Sequence, residues 1–170
     1  MITIRPETHR DIPIIEALTL IAFKDHSHQD PQKGTVEHLI IYQLRQANAL
    51  TISLVATENN QVVGHIAFSP ITIDGKDDKW FVLAPVSVLP SHQKQGIGKA
   101  LIQAGLQQLK DQNANGCVVL GEPDYYQKFG FQAQNALVVD GIPQEYFMAQ
   151  TLCAETIPQG TVQFHPAFSV

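Results

Sequence analysis

The chain has 170 residues, 44% hydrophobic and 16% charged. That is the size of one ordinary domain, large enough to bury a core without disulfide or metal staples and too apolar for disorder. Eleven Lys and Arg against sixteen Asp and Glu leave a net charge of −5, which argues against a nucleic-acid binder built on phosphate neutralisation.

The longest apolar runs are Leu18–Phe23, broken by Thr19, and Phe81–Val88, broken by Ser87. Both fall well short of the ~20 residues of a membrane span. The opening residues Met1-Ile2-Thr3-Ile4-Arg5 do not form a charged region followed by an apolar one. No membrane partner is therefore expected, and the cytoplasm is the expected location. Cys117 and Cys153 sit in apolar runs and read as two buried thiols. His26 and His28 stand beside Asp25 and Asp30, but no third and fourth ligand follows at a recognisable spacing. No metal is expected.

Taken in chain order, Ile2 and Ile4 alternate with Thr3 and Arg5 and predict a short strand. Thr8 or Asp11 can cap a helix with Ile14, Ile15, Leu18, Ile21 and Ala22 as its apolar stripe. Pro13 fits only in its first turn. The polar stretch Lys24–Gly34 reads as a loop. Thr35 can cap a second helix bearing Val36, Leu39, Ile40 and Leu44. Ile52–Thr57 and Val62–Ser69 flank Glu58-Asn59-Asn60-Gln61, a hairpin signal. Thr72-Ile73-Asp74-Gly75 marks another turn. Phe81–Val88 is nearly all apolar, as a strand covered on both faces would be.

A glycine-containing loop leads into a helix near Ile97–Gln112, with Ile97, Leu101, Ala104, Gly105 and Leu109 on its apolar side. Val118–Leu120 is a further short strand. Pro123 opens a short helix near Asp124–Lys128, and Gly130 can end it in the left-handed conformation. Phe131, Leu137–Val139 and Phe147–Leu152 supply the last strands. The fold class is α/β, a mixed central sheet flanked by helices, with strand order left open. The domain is expected to span residues 1–152, with 153–170 a C-terminal extension packed on it.

The informative segment is Val86-Ser87-Val88-Leu89-Pro90-Ser91-His92-Gln93-Lys94-Gln95-Gly96-Ile97-Gly98-Lys99. A buried strand ends and a helix begins at the glycines. A helix N-terminus presents unpaired N–H groups and a positive dipole end to an anion. Gly96 and Gly98 allow close backbone approach, and Lys94 and Lys99 can add positive charge. The dinucleotide pattern fails because Leu101 stands where its third glycine belongs. The triphosphatase P-loop fails at Gln93 and Ala100. A ligand-free strand-to-helix turn remains the alternative.

Gln93-Lys94-Gln95-Gly96-Ile97-Gly98 resembles the acyl-CoA loop Gln-x-x-Gly-x-Gly of the GNAT N-acetyltransferase family. Tyr125-Tyr126-Gln127-Lys128-Phe129-Gly130-Phe131 resembles that family's closing Tyr-x-x-x-Gly-Phe segment. The likeness runs from Ile4 to about Leu152. Leu120-Gly121-Glu122-Pro123 and the tail Gly160–Phe168 resemble a bacterial subgroup of stand-alone acetyltransferases.

The resemblance implies acetyl-CoA as cosubstrate. Ser87 and Val88 would offer backbone groups to the pantetheine arm. Gln93, Lys94, Gln95, Gly96, Ile97, Gly98 and Lys99 would hold the pyrophosphate. The Val88 N–H would face the oxyanion, and Tyr126 would be the general acid, with Tyr125 a packing or substrate contact. Many members carry a Glu on the strand before the loop, but Trp80–Val88 holds no acid. His65 and Glu122 are the remaining base candidates, each with a plain structural alternative: a hydrogen-bonded strand histidine and a helix-start charge. The implied acceptor is a small-molecule or peptide amine. The family's first two helices and their loop normally shape the acceptor site. Related proteins are often dimers, so a homodimer stays open. A non-catalytic acyl-CoA-binding module is the competing reading.

Overall fold

The structure is a computed structural model that describes residues 1–24 and 35–170. Strand β1 (Ile2–Pro6) runs antiparallel to β2 (Ile52–Glu58), which pairs with β3 (Gln61–Ile73). Asn59 and Asn60 close that hairpin with φ of 52° and 63°, the doubly left-handed turn that matches strand twist. β3 pairs antiparallel with β4 (Trp80–Val88), and β4 pairs parallel with β5 (Gly116–Leu120). β8 (Phe147–Thr151) and β6 (Gln132–Ala133) complete the order β1-β2-β3-β4-β5-β8-β6. β9 (Gly160–Phe164) pairs with the far end of β3 and with β7 (Leu137–Val138). The chain was not expected to make a strand at β9. Its alternation Thr161-Val162-Gln163-Phe164 is short, and only Val162 is buried.

Helix α3 (Ile97–Asp111) covers one face of the sheet through Ile97, Leu101, Ile102, Leu106 and Leu109. Gly105 lets it rest on Phe68, because a Cβ there would fall 2.2 Å from that buried ring. Gly105→Ala gains about 1 kcal/mol of helix propensity. Overpacking costs about 1–3 kcal/mol and outweighs that gain. A net destabilisation is expected, read as a lower urea midpoint with an unchanged m-value.

Helices α1 (Ile12–Phe23) and α2 (Glu37–Gln46) cover the other face. Both buried stripes differ from expectation. On α1, Ile15, Leu18 and Thr19 are buried, while Ile14 is 45% and Ile21 51% exposed. Thr19 can replace an aliphatic there because its hydroxyl donates to the Ile15 carbonyl at 2.7 Å. On α2, Ile41 and Leu44 are buried and Leu39 is exposed. Val36, not Thr35, holds the N-cap position, and the Thr35 hydroxyl donates to Phe23 O. Cys117 is buried, and burial pushes its thiol pKa well up. Cys153 is exposed, contrary to expectation. His26, His28, Asp25 and Asp30 lie outside the described residues, as does all of the expected polar loop except Lys24.

The turn entering α1 is tied by Asp11. Its carboxylate accepts from Arg5 Nη1 at 2.7 Å, Arg5 Nη2 at 3.1 Å, Thr8 N at 2.7 Å and Thr8 Oγ1 at 3.1 Å. The Arg5 hydrogen bonds, ahead of those from Thr8, hold its pKa down to about 2. The folded pKa is therefore below the unfolded one, so the stabilisation is full above about pH 4. It is lost as pH falls from there through about 2. Asp11→Asn should be less stable than the parent at pH 7, and the gap should close as unfolding is followed toward pH 2.

Candidate functional site

The sheet splits at one place. β4 pairs with β5 only through Trp80, Phe81 and Val82, opposite Gly116, Cys117 and Val118. Beyond that, the β3–β4 register shifts between Ile66 and Phe68, leaving one extra residue on β4. A bulge bends its strand, and among the described residues Val86–Val88 has no strand partner on its β5 side.

Backbone alternation decides which groups face that split. Leu89 N donates to Val63 O at 2.9 Å, and His65 stands opposite Ser87 in the same register. Alternate residues of an antiparallel strand bond the same neighbour. Ser87 therefore turns its N–H and C=O to β3, whereas Val86 and Val88 turn theirs to the split. The Gln93 side-chain amide donates to Val88 O at 3.2 Å, tying the loop to the strand end.

The loop has the conformation the glycines suggested. Lys94 and Gly96 are left-handed, with φ of 63° and 84°. Gly96 is the N-cap of α3, and among the described residues no side chain caps the helix there. The first N–H groups of α3, from Ile97, Gly98 and Lys99, lack intrahelical acceptors. Gly98 is needed for space. A Cβ there would stand 3.1 Å from the Tyr125 hydroxyl and 3.9 Å from Val88 Cγ2. A cavity of about 380 Å³ fills this corner, lined by Val86, Val88, Gln93, Gly96, Gly98 and Tyr125 among others. A larger groove, about 690 Å³, lies between β9 and the last turn of the chain. It borders Pro70–Thr72, the end of β3 remote from the split, and has no such loop.

Two phenols flank the split. Both sit on α4 (Pro123–Tyr126), whose first turn is closed by Tyr125 N and Tyr126 N donating to Glu122 O. Gly130, at φ 96°, ends the following turn as expected. Tyr125 leans over Gly98 and lines the cavity. Tyr126 lies across Gly121 at the end of β5, edge-on to Tyr125 at 5.0 Å and to Phe131 at 6.0 Å. Burial first, then the neighbouring Tyr125, pushes the Tyr126 pKa up to about 12. Its phenol is protonated at neutral pH.

The two base candidates sit apart. The Glu122 side chain is exposed, and its backbone carbonyl serves α4. His65 is fully buried on β3. Burial, and then the charge of Arg45, push its pKa down to about 3, so it is neutral at physiological pH. Its Nε2 lies 2.8 Å from Ser53 Oγ, which in turn donates to Glu7. Ser53, Glu7 and Arg45 were not foreseen as site residues. Their only sequence signal was a lone serine in the apolar run Ile52-Ser53-Leu54-Val55.

Among described residues, no helix is long and apolar enough to cross a membrane. The family description "Acetyltransferase (GNAT) domain" matches residues 50–133. An uncharacterised N-acetyltransferase of Escherichia coli K12, YhbS, is 35% identical over 130 residues, 76% of this chain and 72% of that one. Its crystal structure with CoA superposes with a TM-score of 0.87 at 30% identity, covering 99% and 92% of the two chains. A GNAT-family acetyltransferase from Brucella melitensis, solved with acetyl-CoA, gives 0.85 at 43% identity, covering 99% and 98%. Likeness of this extent, on a sheet that splits beside an uncapped helix N-terminus, places the chain in the GNAT family of N-acetyltransferases.

Proposed function

We propose that the chain moves an acetyl group from acetyl-CoA directly to an amine. The observation that carries this reading is the split itself. An unpaired strand end, Val86–Val88, leads straight into a loop whose free N–H groups suit a pyrophosphate. The relatives solved with CoA and acetyl-CoA support it.

In this reading the pantetheine arm lies along β4 as an added strand would. It bonds the N–H and C=O groups of Val86 and the C=O of Val88, which leaves the Val88 N–H free. Gln93 to Lys99 holds the pyrophosphate. The amine must be neutral to attack the thioester carbonyl. The new C–N bond forms as the carbonyl electrons move to oxygen, and the Val88 N–H stabilises that oxyanion. Collapse expels the CoA thiolate and Tyr126 supplies its proton; the phenolate left behind takes the proton that the new amide nitrogen sheds, so the phenol is restored and the protons balance. Tyr125 is a second reading for the acid, favoured by its place on the cavity wall.

The acceptor is an amine presented from the α1 and α2 side. The experiment is thiol release from acetyl-CoA in the presence of lysine, spermidine and glucosamine. Amine-dependent release supports transfer. Saturable acetyl-CoA binding with no amine-dependent release would favour a binding module instead.

A further inference from the structure

A hydrogen-bond chain runs from the surface to the strand beside the split. The Arg45 guanidinium donates twice to Glu7, from Nη2 to Oε1 at 2.9 Å and from Nε to Oε2 at 3.3 Å. A carboxylate held this way is an acceptor only. Ser53 Oγ therefore donates its single proton to Glu7 Oε1. Toward His65 Nε2, 2.8 Å away, Ser53 has only lone pairs left. Nε2 must then carry the imidazole proton. Neutral His65 is left with a bare lone pair on Nδ1.

That lone pair is buried and has no partner among the described residues, and the same holds for Ser87 Oγ. Ser87 is the direct cross-strand partner of His65. Opposed residues project to the same face of a sheet, here the face covered by α1 and α2. Ser87 is the neighbour of Val88, whose N–H faces the split. Two buried side chains, each with an unsatisfied polar atom, thus stand opposite one another on β3 and β4, one offering an obligate acceptor and the other lying one residue from the proposed oxyanion donor. Buried polar atoms are rarely left so.

We propose that Glu7 and Ser53 are positioning residues that lock His65 in its Nε2–H tautomer. Nδ1, on the strand opposite Ser87, then accepts an N–H hydrogen bond from the acceptor amine, directly or through one water. This rests on the transferase reading above. The contact aims the nitrogen lone pair away from His65 and toward the thioester. It asks His65 to accept a hydrogen bond, not to hold a net proton.

The test is ¹⁵N NMR of the imidazole in the free and in the acetyl-CoA-bound protein, with kinetics of Ser53→Ala and Ser53→Thr. Wild type should show a protonated Nε2 and an unprotonated Nδ1. Ser53→Ala should lose that fixed tautomer and lower kcat about tenfold, the worth of one hydrogen bond, with KM for acetyl-CoA unchanged. Ser53→Thr keeps a hydroxyl on a strand that tolerates it and should restore both. A protonated Nδ1 in wild type overturns the proposal. So does full turnover in Ser53→Ala, and so does equal loss in the Ala and Thr variants, which would mark a packing role. Failure of wild type to bind acetyl-CoA would sink the transferase reading, while the NMR result still decides the tautomer.

Discussion

Tyr126→Phe is expected to lower kcat about 10²-fold or more, the usual worth of a positioned general acid, while acetyl-CoA affinity stays as in wild type. The phenol is held protonated by burial and by Tyr125, so the hydroxyl has a proton to give throughout the physiological range. The substitution removes one oxygen and keeps the ring that packs on Phe131 and over Gly121. Folding should therefore be little changed. Tyr125→Phe is the paired control. It removes the hydroxyl that overhangs Gly98 and should alter KM for acetyl-CoA more than kcat. Stopped assays of CoA release on both variants decide between the phenols. If Tyr125→Phe loses turnover and Tyr126→Phe does not, the acid is Tyr125.

Gly98→Val is expected to weaken acetyl-CoA binding about 10²-fold, equivalent to one or two charge-assisted hydrogen bonds of about 1.5–3 kcal/mol each. Gly98 lies in the first turn of α3, where a side chain costs no unusual backbone strain. The Cβ and its methyls would instead occupy the space between Tyr125 and Val88, which is the cavity itself. Gly96 makes the contrast. A Cβ there meets nothing within 4 Å, but its φ of 84° is left-handed. Gly96→Val should lower stability as well as binding. A folded Gly98→Val protein with wild-type affinity would show that the ligand does not pass over this loop.

The loop was legible in the sequence because its constraints are local. One glycine answers a backbone angle and the other a close approach, and both leave glycine in the chain at fixed spacing. The hairpin at Asn59-Asn60 and the stop at Gly130 were readable for the same reason. The buried face of α1 was not. Ile12, Ile14, Ile15, Leu18, Leu20 and Ile21 ring the helix, so periodicity could not choose a side. Tertiary packing chose the one where Thr19 bonds its own backbone.

The Glu7–Ser53–His65 chain is unreadable in a more basic way. Pairing of β1 with β2 sets Pro6 opposite Leu54, and pairing of β2 with β3 sets Val55 opposite His65. Arg45 arrives from α2. No sequence spacing announces four residues brought together from four separate elements: the end of β1, β2, β3 and α2. Ser87 shows the limit of transferring roles by resemblance. Its position in the motif suggested backbone contact with the pantetheine, yet strand alternation turns its backbone to β3. Only its neighbours Val86 and Val88 face the split.

The most direct test of the account is a calorimetric titration of the protein with acetyl-CoA, repeated with CoA, ATP and NAD. The account predicts saturable one-site binding of acetyl-CoA and of CoA, with ATP and NAD weaker by more than about tenfold, or 1.4 kcal/mol. A folded protein that binds neither acetyl-CoA nor CoA would contradict it, leaving the Gly96–Gly98 segment as a strand-to-helix turn.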